Sequence, residues 1–383
     1  MKPTVKTIAT QRSWVIRSKD VELAITQQGG HMAPVTFYHN TNRPVQPYYI
    51  SPWQGENLKL DEPLFRPLRG DFFCMPFGAN VEIWRGEKHR PHGEPAAARW
   101  KLVGLEKSEG VTSLTLSMKT KTRSGKVTKS LALVDGQNVV YLRHVLDGFS
   151  GKMPLGHHPI LSMCEEEGAV RIATSAFRFG MTNPVPFGSP AEGEYPCFAT
   201  NKRFSDLRRV PLVWKDCPVA DCTVFPARQG FTDLLALFKT PASGPAWVTA
   251  THQAAGYLWF ALKDPATLPT TVFWISNCGR HPAPWSGRNR CLAFEDVCAY
   301  FAEGLAASVR PNVLTKAGIP TAIKLSPKHP TTVNHIQGVV KVPRGFKTVD
   351  GVEFTCDRVT FVSTTGKKIT AAVNHEFLYS GQL

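Results

Sequence analysis

A chain of 383 residues is long enough to bury a large core, and admits either two domains of ordinary size or one large all-β domain. Its 30 Pro, 30 Gly, 22 Phe and 9 Trp suit many short strands joined by tight turns and argue against a fold of long helices. The 45 basic and 30 acidic residues leave a formal charge of +15, which favours anionic partners in general; because Lys and Arg are scattered rather than gathered with interleaved aromatics, a nucleic-acid role is not expected. A basic solvated surface and an acidic small-molecule substrate both remain open. The 9 Cys form no CxxC pair, against a tetrathiolate zinc site or a complete disulfide framework. The N-terminal MKPTVKTIATQRSW lacks an apolar run of signal-peptide length, and no stretch approaches 18 apolar residues, so a soluble cytoplasmic protein without membrane contact is expected.

In chain order, Val21–Thr26 alternates, Gln27 to Gly30 turns, and Ala33–Tyr38 resumes an extended run, an opening hairpin. Residues 40–67 read as a loop anchored by Tyr48, Tyr49 and Trp53, whose rings can stack on a sugar or a base or pack the loop down. Short period-two segments follow at Lys101–Val103, Leu114–Lys119, Ser130–Leu133 and Val139–Val145, then a strand at Gly168–Thr174. Residues 178–209 read as a loop or lid. Phe231–Lys239 has mixed spacing and fits a strand or a helical turn. Ala246–Ala250, Gly256–Leu262, Thr271–Ser276, Ile323–Ser326, Thr331–Val340, Gly351–Thr355 and Val359–Thr364 complete the strands, and 365–383 is an added strand or a tail. No linker or internal repeat divides the chain.

Three stretches concentrate polar chemistry. Leu68–Trp100 holds four Arg, two His and four acidic residues around the apolar run Phe72 to Phe77, with Arg69 before it and His92-Gly93 after it. If its two ends lie on neighbouring strands, Arg69 and His92 can face one cavity; a solvated turn is the alternative. His157-His158-Pro159 follows a strand, and adjacent side chains on an extended backbone point opposite ways, so one imidazole can enter a cavity while the other meets solvent or a second layer. No further ligand stands near at metal-binding spacing, and no metal or cofactor is expected. In Asn277–Tyr300, Glu295 and Asp296 interrupt an apolar run, so one of them must point inward; Arg288 and Arg290 are the natural ion-pair partners. With no Gly-rich phosphate loop and no GxSxG elbow, a His with a carboxylate is left to move protons on a polyol or sugar.

The run Arg69-Gly70-Asp71-Phe72-Phe73-Cys74-Met75-Pro76-Phe77-Gly78, followed by His92-Gly93 and Trp100-Lys101-Leu102, resembles the aldose 1-epimerase (galactose mutarotase) superfamily, closest to its hexose-6-phosphate epimerase branch. Gly156-His157-His158-Pro159-Ile160-Leu161 is similar to that family's Gly-x-His-Pro segment, and Cys291 to Asp296 to the late strand that carries its glutamate. Asp71 departs from the branch's second Gly, Glu94 from the usual residue after His-Gly, and Ile160-Leu161 from its aromatic pair. The resemblance spans about residues 20–300 and implies one large antiparallel β-sandwich over 1–383, with 311–383 as completing strands and tail. It also implies His158 as general acid, Glu295 as general base, and Arg69, His92, Asn80 and Arg288 as substrate-binding residues. The implied activity is interconversion of the anomers of a monosaccharide or sugar phosphate, the implied partner that sugar alone. A carbohydrate-binding or regulatory protein that keeps the cleft without turnover is the alternative. From the +15 charge, Arg69 and the resemblance to the hexose-6-phosphate branch together, a phosphorylated or acidic sugar is expected.

Overall fold

Two large antiparallel sheets face each other in the computed structural model, which describes residues 2–239 and 244–383. The nine-stranded sheet runs Val224–Phe225, Val170–Thr174, Ala246–His252, Tyr257–Lys263, Thr331–Lys341, Val139–Asp147, Gly125–Val134, Val111–Thr120 and Lys101–Ser108. The eight-stranded sheet runs Arg203–Phe204, Phe179–Thr182, Phe231–Phe238, Thr270–Asn277, Arg290–Cys298, Leu155–His157 and Phe73–Cys74, and Ile160–Ser162 also pairs with Arg290–Cys298. This is the large antiparallel β-sandwich the sequence led us to expect.

Period-two alternation sets what each strand contributes. In Thr270–Asn277, Phe273 and Ile275 enter the core between the sheets, while Val272 and Trp274 enter a second core on the outer face. Phe231–Phe238 repeats this, with Leu235 and Leu237 inside and Leu234, Ala236 and Phe238 outside, which explains its lack of polar alternation: both faces are covered. It is a strand throughout, not a helical turn. Trp259 of one sheet stacks on Phe294 of the other, 5.6 Å between ring centroids. A third core lies on the far face of the nine-stranded sheet. There the C-terminal sheet Val349–Thr355, Arg358–Ser363 and Lys368–Ala372 and the helix Phe377–Ser380 pack down through Phe361 on Phe260 and Phe377 on Tyr141.

The strands Thr4–Ile8 and Gln11–Arg17 precede the opening hairpin and complete a four-stranded sheet with Val21–Thr26 and Met32–Phe37. They were not legible: Thr4–Ile8 is exposed along nearly all its length and shows no apolar face. The helices Leu305–Val309 and Val313–Lys316 were missed for their shortness, the second being fixed by an Asn312–Thr315 capping box. Among the described residues, no helix is long and apolar enough to cross a membrane.

Candidate functional site

On the outer face of the eight-stranded sheet lies a cavity of about 330 Å³, at the small end of the range for ligand pockets. In Arg290–Cys298, Ala293 and Val297 face this outer core and Leu292 and Phe294 the inner one, so Glu295 points to the cavity and Asp296 between the sheets. Both carboxylates are buried, at 2% and 1% exposure, so the strand carries two inward acids on opposite faces.

The same alternation divides the histidine pair. His158 reaches the cavity and places Nε2 2.9 Å from Glu295 Oε1. His157 turns inward, its Nδ1 3.0 Å from Asp71 Oδ2, and stacks on His335 at 4.4 Å. Asp71 serves both: its Oδ1 accepts the backbone N–H of His158 at 3.0 Å. Burial draws His157 down to about 4, so it is the neutral donor to Asp71; burial alone would raise the Asp71 carboxyl, but His157 beside it holds it low. Asp296 is engaged the same way, by Lys263 Nζ at 2.6 Å, Thr271 Oγ1 at 2.8 Å and His335 Nε2 at 2.9 Å. Arg288 and Arg290 are therefore partners of neither acid; they pair with Glu56 and Glu165.

His92 comes from the turn after the Phe72 to Phe77 run. It adopts φ 57°, a left-handed conformation that costs a non-glycine residue roughly 1–3 kcal/mol. Its N–H donates to Gly78 O and its carbonyl accepts from Met75 N, and these bonds lock it. A Cβ on Gly93 would lie 1.9 Å from Met75 O, so only glycine lets this turn close. The His92 ring then sits 5.0 Å from that of His158, edge to face, and burial holds it well below the ordinary imidazole range, neutral. Phe72 stacks on His158 at 4.6 Å, and Trp274 meets it edge-on at 5.9 Å. Four buried polar atoms at this end have no hydrogen-bond partner among the described residues: His92 Nδ1, His158 Nδ1, Trp274 Nε1 and Glu295 Oε2. Buried polar groups are normally satisfied, so these four atoms mark the cavity as a place for a polar ligand. Among the described residues no group of three or more His, Cys, Asp or Glu is arranged to hold a metal ion.

No family model and no curated protein matches this sequence. Solved structures do match its fold. A galactose mutarotase-like protein from Clostridium acetobutylicum superposes with a TM-score of 0.60 at 11% identity, over 88% of this chain and 98% of its own. The galactose mutarotase related enzyme from Lactobacillus acidophilus superposes at 0.54 with 10% identity, over 89% and 100%. The chain has the galactose mutarotase-like fold. At these identities the likeness concerns fold, and it singles out no branch such as the hexose-6-phosphate epimerases.

On this mutarotase-like scaffold, His92, His158 and Glu295 share one cavity, whereas Arg69, Asn80 and Arg288 do not line it. Arg69 is wholly buried elsewhere, donating to Ile8 O, Ala9 O, Gln54 Oε1 and Pro67 O at 2.7–3.1 Å. It ties the N-terminal sheet to the loop before Phe72, so its expected role toward sugar or phosphate is corrected to a structural one. Arg69→Met should lower stability by about 3–5 kcal/mol, as charged donors contribute roughly 1.5–3 kcal/mol per bond and some are replaced by water. Ligand affinity at the cavity should be unchanged in the folded fraction, measured by urea unfolding beside binding titration. Asn80 also stays out of the cavity: its Nδ2 donates to Pro76, Gly78 and Arg90 carbonyls, and its Oδ1 accepts from Leu305 N, pinning the segment that carries Ala302 and Glu303. Arg288 sits at the surface with Glu56.

Several lining residues were not singled out from sequence: Phe72, Asn183, Trp274, Arg280, Trp285 and Glu303. Arg280 and Trp285 stood within Asn277–Tyr300, but only the charges nearest Glu295 drew attention. The 178–209 segment does border the cavity, through Asn183, Val185, Pro186 and Phe187. Tyr48, Tyr49 and Trp53 are packing residues; Trp53 supports Trp285 at 5.0 Å from behind.

Proposed function

We propose that the protein is an aldose 1-epimerase, interconverting sugar anomers by acid and base catalysis. The reading rests on the direct contact of His158 with Glu295, buried at the end of an aromatic-walled cavity, with one polar atom of each and those of His92 and Trp274 left unsatisfied. An imidazole and a carboxylate side by side can remove one proton and supply another without further chemistry.

In this scheme the sugar enters with its anomeric carbon at the pair. Glu295 accepts the proton of the anomeric hydroxyl while protonated His158 donates to the ring oxygen. The C1–O5 bond breaks as the C1 carbonyl forms, giving the open-chain aldehyde. Rotation about C1–C2 presents the other carbonyl face. Closure returns the ring-oxygen proton to His158 and the Glu295 proton to the new anomeric hydroxyl, so protons and electrons balance over the cycle. Neutral His92 holds an oxygen at the reacting carbon, and Phe72 and Trp274 offer apolar faces to the ring's C–H surface.

The test is polarimetry on freshly dissolved aldoses, with saturation-transfer NMR on the same panel. The wild type should accelerate equilibration of at least one sugar in proportion to enzyme concentration. His92→Leu should lower kcat/KM about tenfold, the worth of one buried hydrogen bond. If no sugar equilibrates faster than in buffer, the cavity is a binding site only, and the epimerase reading falls.

A further inference from the structure

The cavity has a second polar end that the ring-opening chemistry leaves unused. From Arg290–Cys298 the sheet passes through Thr270–Asn277 and Phe231–Phe238 to Phe179–Thr182, three strand spacings or roughly 14 Å between backbones. Asn183 follows that last strand, its N–H donating to Leu234 O at 3.0 Å. Its Nδ2 is committed to Val185 O at 3.0 Å and reaches Glu303 Oε1 at 3.5 Å. Its Oδ1 is buried with no partner among the described residues. Glu303 enters from the segment that Asn80 pins, and has no ion-pair partner among the described residues. Burial raises its carboxyl, with the Asn183 amide opposing.

The remaining charge at the wall is Arg280, which is ion-paired with Glu194 without an aligned hydrogen bond from its Nε. Its Nε lies 3.0 Å from Glu194 Oε1, and its guanidinium packs against Phe187 and Trp285 at 5.0 and 5.2 Å. Among the described lining residues, the far end thus presents the unpartnered Asn183 Oδ1, the Glu303 carboxylate with one long contact from Asn183, and a cation ion-paired with its own carboxylate. The +15 charge of the chain is not expressed there.

We propose that Asn183 and Glu303 form a subsite for hydroxyl donors at the end of the sugar remote from its anomeric carbon, and that this subsite rejects a phosphoryl group there. The proposal rests on the epimerase reading and gives its substrate class: unphosphorylated aldoses. Two sugar hydroxyls can each donate one hydrogen, one to the orphaned amide oxygen of Asn183 and one to the Glu303 carboxylate. A phosphate brings only acceptors and like charge to the same place, and like-charge juxtaposition is a strong means of exclusion. This replaces the expectation of a sugar phosphate, which rests on net charge, on Arg69 and on the resemblance to the hexose-6-phosphate branch.

The experiment compares a hexose with its 6-phosphate in saturation-transfer exchange, on wild type, Glu303→Gln and Asn183→Leu. The wild type should favour the hexose in kcat/KM by about tenfold or more. Glu303→Gln removes the charge at constant shape, so KM for the hexose should rise and the preference should narrow several-fold, with kcat much less affected. Asn183→Leu should raise hexose KM without narrowing the preference. A wild type that prefers the 6-phosphate, or a Glu303→Gln that changes neither KM nor preference, overturns the subsite. Absence of turnover on every sugar overturns the epimerase reading instead. Tryptophan-fluorescence titration of both sugars against wild type and Glu303→Gln then tests the subsite by binding alone, and equal affinities in both proteins reject it.

Discussion

Glu295→Gln and His158→Asn should each slow anomer interconversion by about 10²–10⁴-fold, the usual worth of one general acid or base. That corresponds to roughly 3–5 kcal/mol of barrier at 1.36 kcal/mol per decade. Gln keeps the shape of Glu295 and removes its basicity. Asn fills part of the His158 site and cannot deliver a proton. The two residues touch at 2.9 Å, so the double variant should be little slower than the worse single variant, since groups acting as one unit are not additive. Sugar affinity should fall much less than turnover, because Phe72, Trp274, Trp285 and the far-end acceptors remain. Urea midpoints close to wild type would show that the loss is chemical. A Glu295→Gln protein that equilibrates aldoses at the wild-type rate would sink the assignment of the base.

How much of this site the sequence disclosed depended on whether a side chain's direction follows from local geometry. Alternation alone separates His157 from His158, and it also puts Glu295 and Asp296 on opposite faces, as the structure shows. It could not say that both acids would be buried, because that depends on both faces of the eight-stranded sheet being covered. Arg69 misled for a related reason. An arginine beside a polar turn looks available to a ligand, yet its guanidinium is consumed by carbonyls of Ile8 and Ala9, in a strand and turn the sequence pattern did not reveal. Glu303 and Asn183 lie in irregular segments with no periodicity to orient them, and they meet only because Asn80 staples one segment while Leu234 holds the other. The large strands were legible because their runs are long and apolar. Contacts among loops were not, since they are fixed by distant partners.

Lys263→Met should cost about 3–5 kcal/mol of stability, the penalty for leaving a buried charge without its partner. Lys263 and Asp296 are each 2% exposed or less and 2.6 Å apart, on neighbouring elements of the two facing sheets. Lys263 Nζ also donates to Thr270 O and Thr271 Oγ1, both at 2.7 Å, and Asp296 receives His335, which itself stacks on His157. Removing the ammonium strands Asp296 in the interior, whereas Lys263→Met with Asp296→Leu removes both charges and should recover much of the loss. The pH dependence has a definite sign. Burial would raise the Asp296 carboxyl, but Lys263 and His335 hold it well below the usual carboxylate range. A carboxyl lowered on folding stabilises above its unfolded value, near 4, and that contribution is lost as pH falls toward the folded value. Burial pulls Lys263 down while Asp296 pushes it back; the short contact marks the pair as ionised at neutral pH. The gap between wild type and Lys263→Met should therefore be widest at neutral pH and close in acid, read from urea unfolding at pH 7, 5 and 3. A single variant within about 1 kcal/mol of wild type at pH 7 would mean that the pair is not what holds this strand. Because Asp296 is the next residue after Glu295, its anchoring between the sheets is also what turns Glu295 toward the cavity. Turnover in Lys263→Met should fall more than its folded fraction accounts for.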